Sequence, residues 1–209
     1  MKKVYIVDSN YPEDHFGDRA DGVTALHILK ALGINADLRL ALDREHFRLA
    51  VTRALKARCD VLHVSTHGNA EGIATCNDVR GSGRAEGFLW EEFVGLFQDS
   101  HQAPTALVMS ACNGASAGLA EAFTSANSRP KLIIGSTDKR YPADYVAAWA
   151  LLYRHFKTSG IDRAGAQAAL KAICASVHRK FLYWRWDDER RRYLRYPGSG
   201  SRFDIVERE

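Results

Sequence analysis

The chain has 209 residues and 46% hydrophobic content, which fits one α/β domain with a full-sized core. Its formal net charge of +4 is modest and its charged residues are interspersed, which argues against nucleic acid as a partner. The cysteines are scattered without paired spacing, which argues against a zinc site or a disulfide scaffold and favours a reducing, cytoplasmic compartment.

The elements predicted along the chain begin with a strand over residues 4–7. The apolar run there is too short for a secretory signal, and nowhere does the chain approach the ~20 apolar residues of a membrane helix. We therefore expect no membrane partner. Residues 9–20 are polar and predict a loop, after which Asp21 is predicted to cap a helix over 22–32.

Strands and helices then alternate along most of the chain. Further strands are predicted at 36–42, 60–65, 105–110 and 131–134. Further helices are predicted after Asp43 and at 88–97, 116–126, 143–156 and 163–178. Residues 69–87, rich in Gly, Asn and Ser, predict a small hairpin or a mobile loop. This order predicts a mostly parallel central sheet with helices on both faces and right-handed crossovers.

The carboxyl-terminal residues have a different pattern. Aromatic runs at 181–186 and 193–196 flank a charged turn, which predicts a two-stranded hairpin. Basic residues mixed with aromatics are found in nucleic-acid binders, but aromatics on a core and arginines in water explain the same pattern. We adopt the second interpretation. Residues 1–178 are expected to form the main domain, and 179–209 an appended hairpin and tail of the same domain.

Two motifs at strand ends carry the candidate chemistry. Val61-Leu62-His63-Val64-Ser65-Thr66-His67-Gly68 is an apolar run that ends at His67, and Ala106-Leu107-Val108-Met109-Ser110-Ala111-Cys112-Asn113-Gly114 is one that ends at Cys112. The carboxyl ends of parallel strands meet at one sheet edge, so the two residues are expected to be neighbours. A thiol beside an imidazole is the minimal set for nucleophilic acyl transfer.

Each residue alone has an ordinary structural explanation. A single cysteine at a strand end is usually a packed small hydrophobe, and a single histidine is usually a satisfied loop residue. The joint pattern favours a functional pair, because both residues follow uncharged strands and precede loops that contain glycine. Gly68 has a further reason to be glycine, since only without a side chain does its amide approach a substrate carbonyl. His63 lies within its strand and is expected to be buried.

These motifs resemble the caspase-like cysteine peptidases, which include caspases, separases, gingipains and bacterial CHAT proteases. Caspases carry Gln-Ala-Cys-x-Gly with a histidine about 50 residues upstream. Ala111-Cys112-Asn113-Gly114 keeps this pattern, but Ser110 stands in place of the glutamine, and Ser-Ala-Cys is closest to CHAT. Flanking residues extend the similarity over roughly 3–175, although the tryptophan expected after Gly135-Ser136 is missing. They are Phe16, Arg19, Asp21-Gly22, Leu32-Gly33, Gly135-Ser136, Asp144 and Leu152-Tyr153.

The resemblance implies a caspase-like three-layer sandwich that acts as a cysteine endopeptidase on protein or peptide substrates. Cys112 would be the nucleophile, His67 the general acid and base, and the amides of Gly68 and Cys112 the oxyanion hole. It implies no metal and no organic cofactor, and no acidic side chain is assigned to orient His67. Relatives of this size are often switched on by a partner, so a regulatory protein partner is expected.

The substrate pocket has two alternative assignments. Arg19, at the position of a caspase arginine, would hold an acidic residue at P1, the substrate position before the cleaved bond. Asp138 or Asp144 would instead favour a basic P1 residue, as a carboxylate does in separases and gingipains. The serine at 110 weakens the acidic alternative, so a basic P1 is favoured.

Two other functions remain open from the sequence. One is a non-catalytic caspase-like domain that serves as a binding or scaffold module, against which the intact His67 and Cys112 argue. The other is a flavodoxin-like module that binds a small ligand at the same edge. No Gly-rich phosphate loop follows Val7, which argues against it.

Overall fold

The structure, a computed structural model, describes residues 1, 3–18, 20–76, 86–98, 102–139, 141–177 and 180–197. The strands are β1 (Val4–Asp8), β2 (Ala36–Leu40), β3 (Val61–Ser65), β4 (Gly72–Ala74), β5 (Gly87–Leu89), β6 (Ala106–Ser110), β7 (Leu132–Ser136), β8 (Phe181–Asp187) and β9 (Arg192–Tyr196). The helices are α1 (Pro12–Phe16), α2 (Asp21–Ala31), α3 (Arg44–Lys56), α4 (Trp90–Gly95), α5 (Ala117–Thr124), α6 (Pro142–Ser159) and α7 (Arg163–Ser176).

The main sheet that these residues form has the strand order β2-β1-β3-β6-β7-β8-β9. In this sheet the first five strands in that order, β2, β1, β3, β6 and β7, are parallel, and β8 and β9 are added antiparallel. The predicted α/β sandwich with a mostly parallel sheet is therefore confirmed. The predicted carboxyl-terminal hairpin is also present: β8 pairs antiparallel with β9, and β8 joins the sheet by pairing with β7.

Both faces of the sheet are covered. β1, β3, β6 and β7 are buried along their whole length, which explains why they are nearly continuous apolar runs. Alternate strand residues pack on one side against α3, α4 and α5, and on the other side against α2, α6 and α7. None of the helices in the described ranges combines the length and apolarity needed to cross a bilayer.

Three local predictions were wrong. The predicted loop 9–20 contains α1, which has proline in its first turn together with Glu13 and Asp14. The predicted helix 88–97 is divided into β5 and the shorter α4. Asp21 does not cap α2 from outside: it is the first helical residue, follows Ala20 at the cap position, and is buried.

Residues 69–87 form a hairpin where they are described. β4 pairs antiparallel with β5, and an isolated bridge joins Gly68 to Ile73. Residues 77–85, between the two strands, lie outside the described residues, as does the tail over 198–209. The hairpin starts directly after the candidate histidine, and this brings it to the carboxyl edge of the main sheet.

Candidate active site

His67 and Cys112 lie together at the carboxyl edge of the sheet. β3 and β6 pair with Ser65 opposite Ser110, so the two candidate residues follow at equivalent positions, each two residues further on. The amide of Thr66 donates to the carbonyl of Ser110 at 3.0 Å, so the two backbone segments stay paired just beyond the ends of the strands. Both candidate side chains line one cleft of about 480 Å³.

Gly68 packs directly against the backbone of Cys112. A Cβ atom on Gly68 would lie 2.7 Å from the Cys112 carbonyl oxygen and 3.1 Å from the Ala111 Cβ. Real Cβ atoms essentially never make a contact this short. The sequence predicted glycine here for access to a substrate; the structure adds a second reason, the close contact with the backbone of Cys112.

The loop after Cys112 is held on several sides. Asn113 has a φ of 58°, in the left-handed region, and its amide donates to the carbonyl of Asp138 at 3.3 Å. The amide of Ala115 donates to the carbonyl of Ser136 at 2.9 Å. Cys112 is thus presented by a tight turn that is anchored to the end of β7.

Tyr145 on α6 lies beside the candidate nucleophile. Its hydroxyl is 2.9 Å from the hydroxyl of Ser136. Burial raises the pKa of Tyr145 and the neighbouring Cys112 thiol raises it further, whereas the hydrogen bond with Ser136 lowers it. Tyr145 therefore remains a neutral phenol that lies next to the Cys112 thiol on the side of α6.

His67 is oriented by a carboxylate that the sequence did not identify. Its Nε2 lies 2.7 Å from Asp14 Oδ2, and the side chains of His67 and Asp14 are 35% and 16% exposed. The ring of Tyr11 stacks on the imidazole with centroids 4.2 Å apart and an interplanar angle of 17°. α1, just after β1, supplies Asp14. The only signal in the sequence is an acidic residue after a strand that ends at the same edge.

Two of the three predicted substrate-binding residues, Asp138 and Asp144, are among the described residues. The Asp144 carboxylate accepts from the Tyr141 amide at 3.3 Å in the first turn of α6. Asp138 forms an ion pair with Lys180. Neither is among the described residues that line the cleft. Arg19 lies outside the described residues. Their proposed roles in choosing P1 remain predictions.

The β4–β5 hairpin forms one wall of the cleft, and its charged lining is mixed. Arg44 donates to Glu92 at 2.8 Å, so these two charges offset one another. Arg44 also donates to the carbonyl of Gly87 and lies over the ring of Phe88, 4.3 Å from the centroid. Glu71 and Lys139 are the other charged residues among the described residues of the lining. The described lining therefore has no strong excess of either charge.

His63 is fully buried, as predicted. Its Nδ1 lies 2.7 Å from the hydroxyl of Tyr153, and its ring meets Trp149 edge-on. Burial lowers the pKa of His63 to about 3, so the ring is neutral at physiological pH. Over the ranges that the structure describes, no three His, Cys, Asp or Glu side chains are grouped to hold a metal ion.

Comparisons with solved structures identify the fold. No family model and no curated protein matches the chain. The secreted C11 cysteine protease iotapain of Bacteroides thetaiotaomicron matches with a TM-score of 0.56 at 10% identity, over 91% of this chain and 67% of that one. The Arg-specific cysteine proteinase gingipain R matches with a TM-score of 0.52 at 15% identity, over 85% and 43% of the two chains.

These similarities show that the chain has the caspase-like α/β fold of cysteine proteases. The chain spans less than half the length of the gingipain structure that it matches. At such identities the likeness concerns the fold alone, and the candidate chemistry depends on the residues in the cleft.

Proposed function

We propose that this protein is a cysteine endopeptidase with Cys112 as nucleophile and His67 as general acid and base. The observation that carries the proposal is the convergence of His67, Gly68 and Cys112 on one cleft, with the Asp14 carboxylate 2.7 Å from Nε2 of the imidazole. A pair without function would have no need of a partly exposed histidine that is both stacked and hydrogen-bonded.

The hydrogen bond with Asp14 selects the nitrogen that reacts. Because Nε2 lies 2.7 Å from the carboxylate, the proton of the neutral ring sits on Nε2, and Nδ1 is the basic nitrogen. Nδ1 accepts the thiol proton of Cys112, and the thiolate attacks the substrate carbonyl. The resulting imidazolium is stabilised by the Asp14 carboxylate and then protonates the leaving amine. Water, deprotonated by His67, hydrolyses the thioester and frees the thiol.

The oxyanion site is proposed from the backbone. Negative charge grows on the carbonyl oxygen during attack, and preorganised N–H donors stabilise it; one such donor is worth roughly 3 kcal/mol. The amides of Gly68 and Cys112 are the proposed donors. The tight packing of Gly68 against Cys112 supports this, because it fixes the relative position of the two peptide groups.

The substrate is proposed to be a peptide that lies along the β4–β5 hairpin. The sequence-based preference for a basic P1 residue, a regulatory protein partner and action in a reducing compartment remain parts of the proposal. Within the caspase-like peptidases, the Ser-Ala-Cys motif supports the CHAT group. No step needs a metal or an organic cofactor.

The test is hydrolysis of a fluorogenic peptide library by the wild-type chain and by Cys112→Ala, His67→Ala and Cys76→Ala. Cys76 is the matched control, because it is also partly buried near this edge, where its amide donates to Ser9. We expect Cys112→Ala and His67→Ala to abolish hydrolysis and Cys76→Ala to retain it. Binding without cleavage by the wild-type chain would favour the scaffold alternative instead.

A further inference from the structure

A buried cluster of hydrogen bonds lies beneath the catalytic pair, where α2 meets the sheet. The Asp21 carboxylate accepts from the hydroxyl of Ser65 at 2.6 Å and from the hydroxyl of Ser110. Ser110 in turn accepts from Trp149 Nε1 at 2.7 Å, and Asn10 Nδ2 donates to Ser65 at 2.7 Å. One carboxylate thus receives hydrogen bonds from both β3 and β6.

The location of this cluster connects it to the active site. Ser65 precedes His67 by two residues, Ser110 precedes Cys112 by two residues, and the two serines are register partners. They are the last residues of their strands, after which the chain enters the loops that present the catalytic pair. A change in the spacing of the two serines is therefore transmitted to the catalytic pair.

We propose that Asp21 is a positioning residue of the active site, whose carboxylate fixes the spacing of the strand ends that carry His67 and Cys112. This inference rests on the proposed function. A carboxylate offers two acceptor oxygens, one to each serine, whereas an amide offers a single acceptor oxygen. Thiol-to-imidazole proton transfer requires the sulfur and the accepting nitrogen to lie within hydrogen-bond reach, so small shifts in spacing slow it.

Several charged and titratable groups face Asp21. Asp8 on β1 is buried beside it, and His15 on α1 lies 3.7 Å from Asp8. Tyr145 and Tyr153 of α6 are near enough to interact with it: burial raises the pKa of each phenol, and the Asp21 carboxylate adds to the increase.

These surroundings set the charge of Asp21. Burial raises its pKa to about 6 and Asp8 adds to the increase, while the hydroxyls of Ser110 and Ser65 lower it. Asp21 is therefore ionised, and accepts from both serines, at neutral pH.

The experiment measures the alkylation rate of Cys112 by iodoacetamide as a function of pH, with peptide mass spectrometry separating the four thiols. A thiolate paired with imidazolium reacts at pH values well below the ordinary thiol pKa of about 8.5. We expect fast alkylation of wild-type Cys112 at neutral pH, where Asp21 is ionised, relative to Cys76 and Cys174 in the same chain. In the Asp21→Asn variant, we expect alkylation of Cys112 at the same pH to be about tenfold slower. The pH dependence of its alkylation rate should shift towards that of an ordinary thiol.

Asp162→Asn is the control, because Asp162 also accepts a hydrogen bond but caps α7 on the exposed surface. Wild-type Cys112 that reacts no faster than Cys76 and Cys174 would overturn the proposed function, and the positioning role with it. If Cys112 is alkylated quickly in the wild type and equally quickly in a folded Asp21→Asn variant, the positioning role alone would be overturned.

A second pair of variants keeps the test decisive if Asp21→Asn does not fold. Ser65→Ala and Ser110→Ala each remove one donor to the carboxylate, and each should slow alkylation of Cys112 about threefold. If the rate of Cys112 alkylation and its pH dependence are unchanged in both folded serine variants, the positioning role would be overturned.

Discussion

Gly68→Ala perturbs the proposed oxyanion site by a single methyl group. The new Cβ would lie 2.7 Å from the Cys112 carbonyl oxygen, whereas ordinary contacts begin at 3.4 Å. Residues 68 and 112 must therefore separate by about 0.7 Å, the difference between these distances. Since both amides are proposed oxyanion donors, this separation disturbs the site at the atoms that matter for the transition state.

The expected loss is in turnover. Loss of one oxyanion donor costs roughly 3 kcal/mol, or about a hundredfold in kcat, and a displaced donor costs part of that. We expect kcat to fall by about 10- to 100-fold while KM changes less than about twofold, because the interaction develops only in the transition state. Overpacking should also lower the free energy of unfolding by about 1–3 kcal/mol.

Steady-state hydrolysis of one fluorogenic peptide, well below the Tm of each variant, measures these effects. Gly95→Ala is the matched control, because a Cβ at this position in α4 has no neighbour within 4 Å. Alanine there should leave kcat unchanged and stabilise the helix slightly. A Gly68→Ala variant with a lowered Tm but wild-type kcat would refute the oxyanion assignment and leave Gly68 with a packing role only.

Three further predictions concern other groups. Asp14→Asn should lower kcat at least about tenfold with the fold retained, because a neutral amide stabilises the His67 imidazolium less; unchanged kcat would contradict this. Between pH 7 and pH 4, protonation of His63 in the unfolded chain should lower the free energy of unfolding of the wild type by about 3 kcal/mol. The His63→Gln variant should lack this contribution, as urea unfolding at the two pH values would measure. The sign follows because the folded-state pKa, about 3, lies below the unfolded value of 6.5, so stability falls as the pH drops below 6.5. Asp144→Ala should lower the Tm through loss of its helix-capping bond, and the predicted P1 role requires a fall of about tenfold in the ratio of kcat/KM for Arg over Leu at P1. A ratio that stays within about twofold would leave Asp144 with the capping role only.

The sheet and the two motifs were predictable because their signal is local. Interior parallel strands are buried on both faces, so residues 61–65 and 106–110 are unbroken runs with no charged residue, and each is followed by a reactive side chain at the functional edge. The placement of His67 beside Cys112 then follows from topology alone.

The carboxylates could not be assigned in the same way. Asp14 meets His67 across 53 residues of sequence and lies in a helix of five residues, too short for a periodic pattern. Asp21 has the local pattern of a helix cap, and only the tertiary structure buries it against two serines that lie 44 and 89 residues away. Side-chain pairing over such separations is fixed by packing, which single-residue patterns do not encode.

The most direct test of the central claim is labelling by a peptidyl acyloxymethylketone, which alkylates a nucleophilic cysteine that a peptide reaches. The proposed function predicts one modified residue, Cys112, in the wild-type chain, and none in His67→Ala at the same reagent concentration. Modification spread over Cys76 or Cys174, or labelling of Cys112 that persists unchanged in His67→Ala, would contradict a catalytic His67–Cys112 pair.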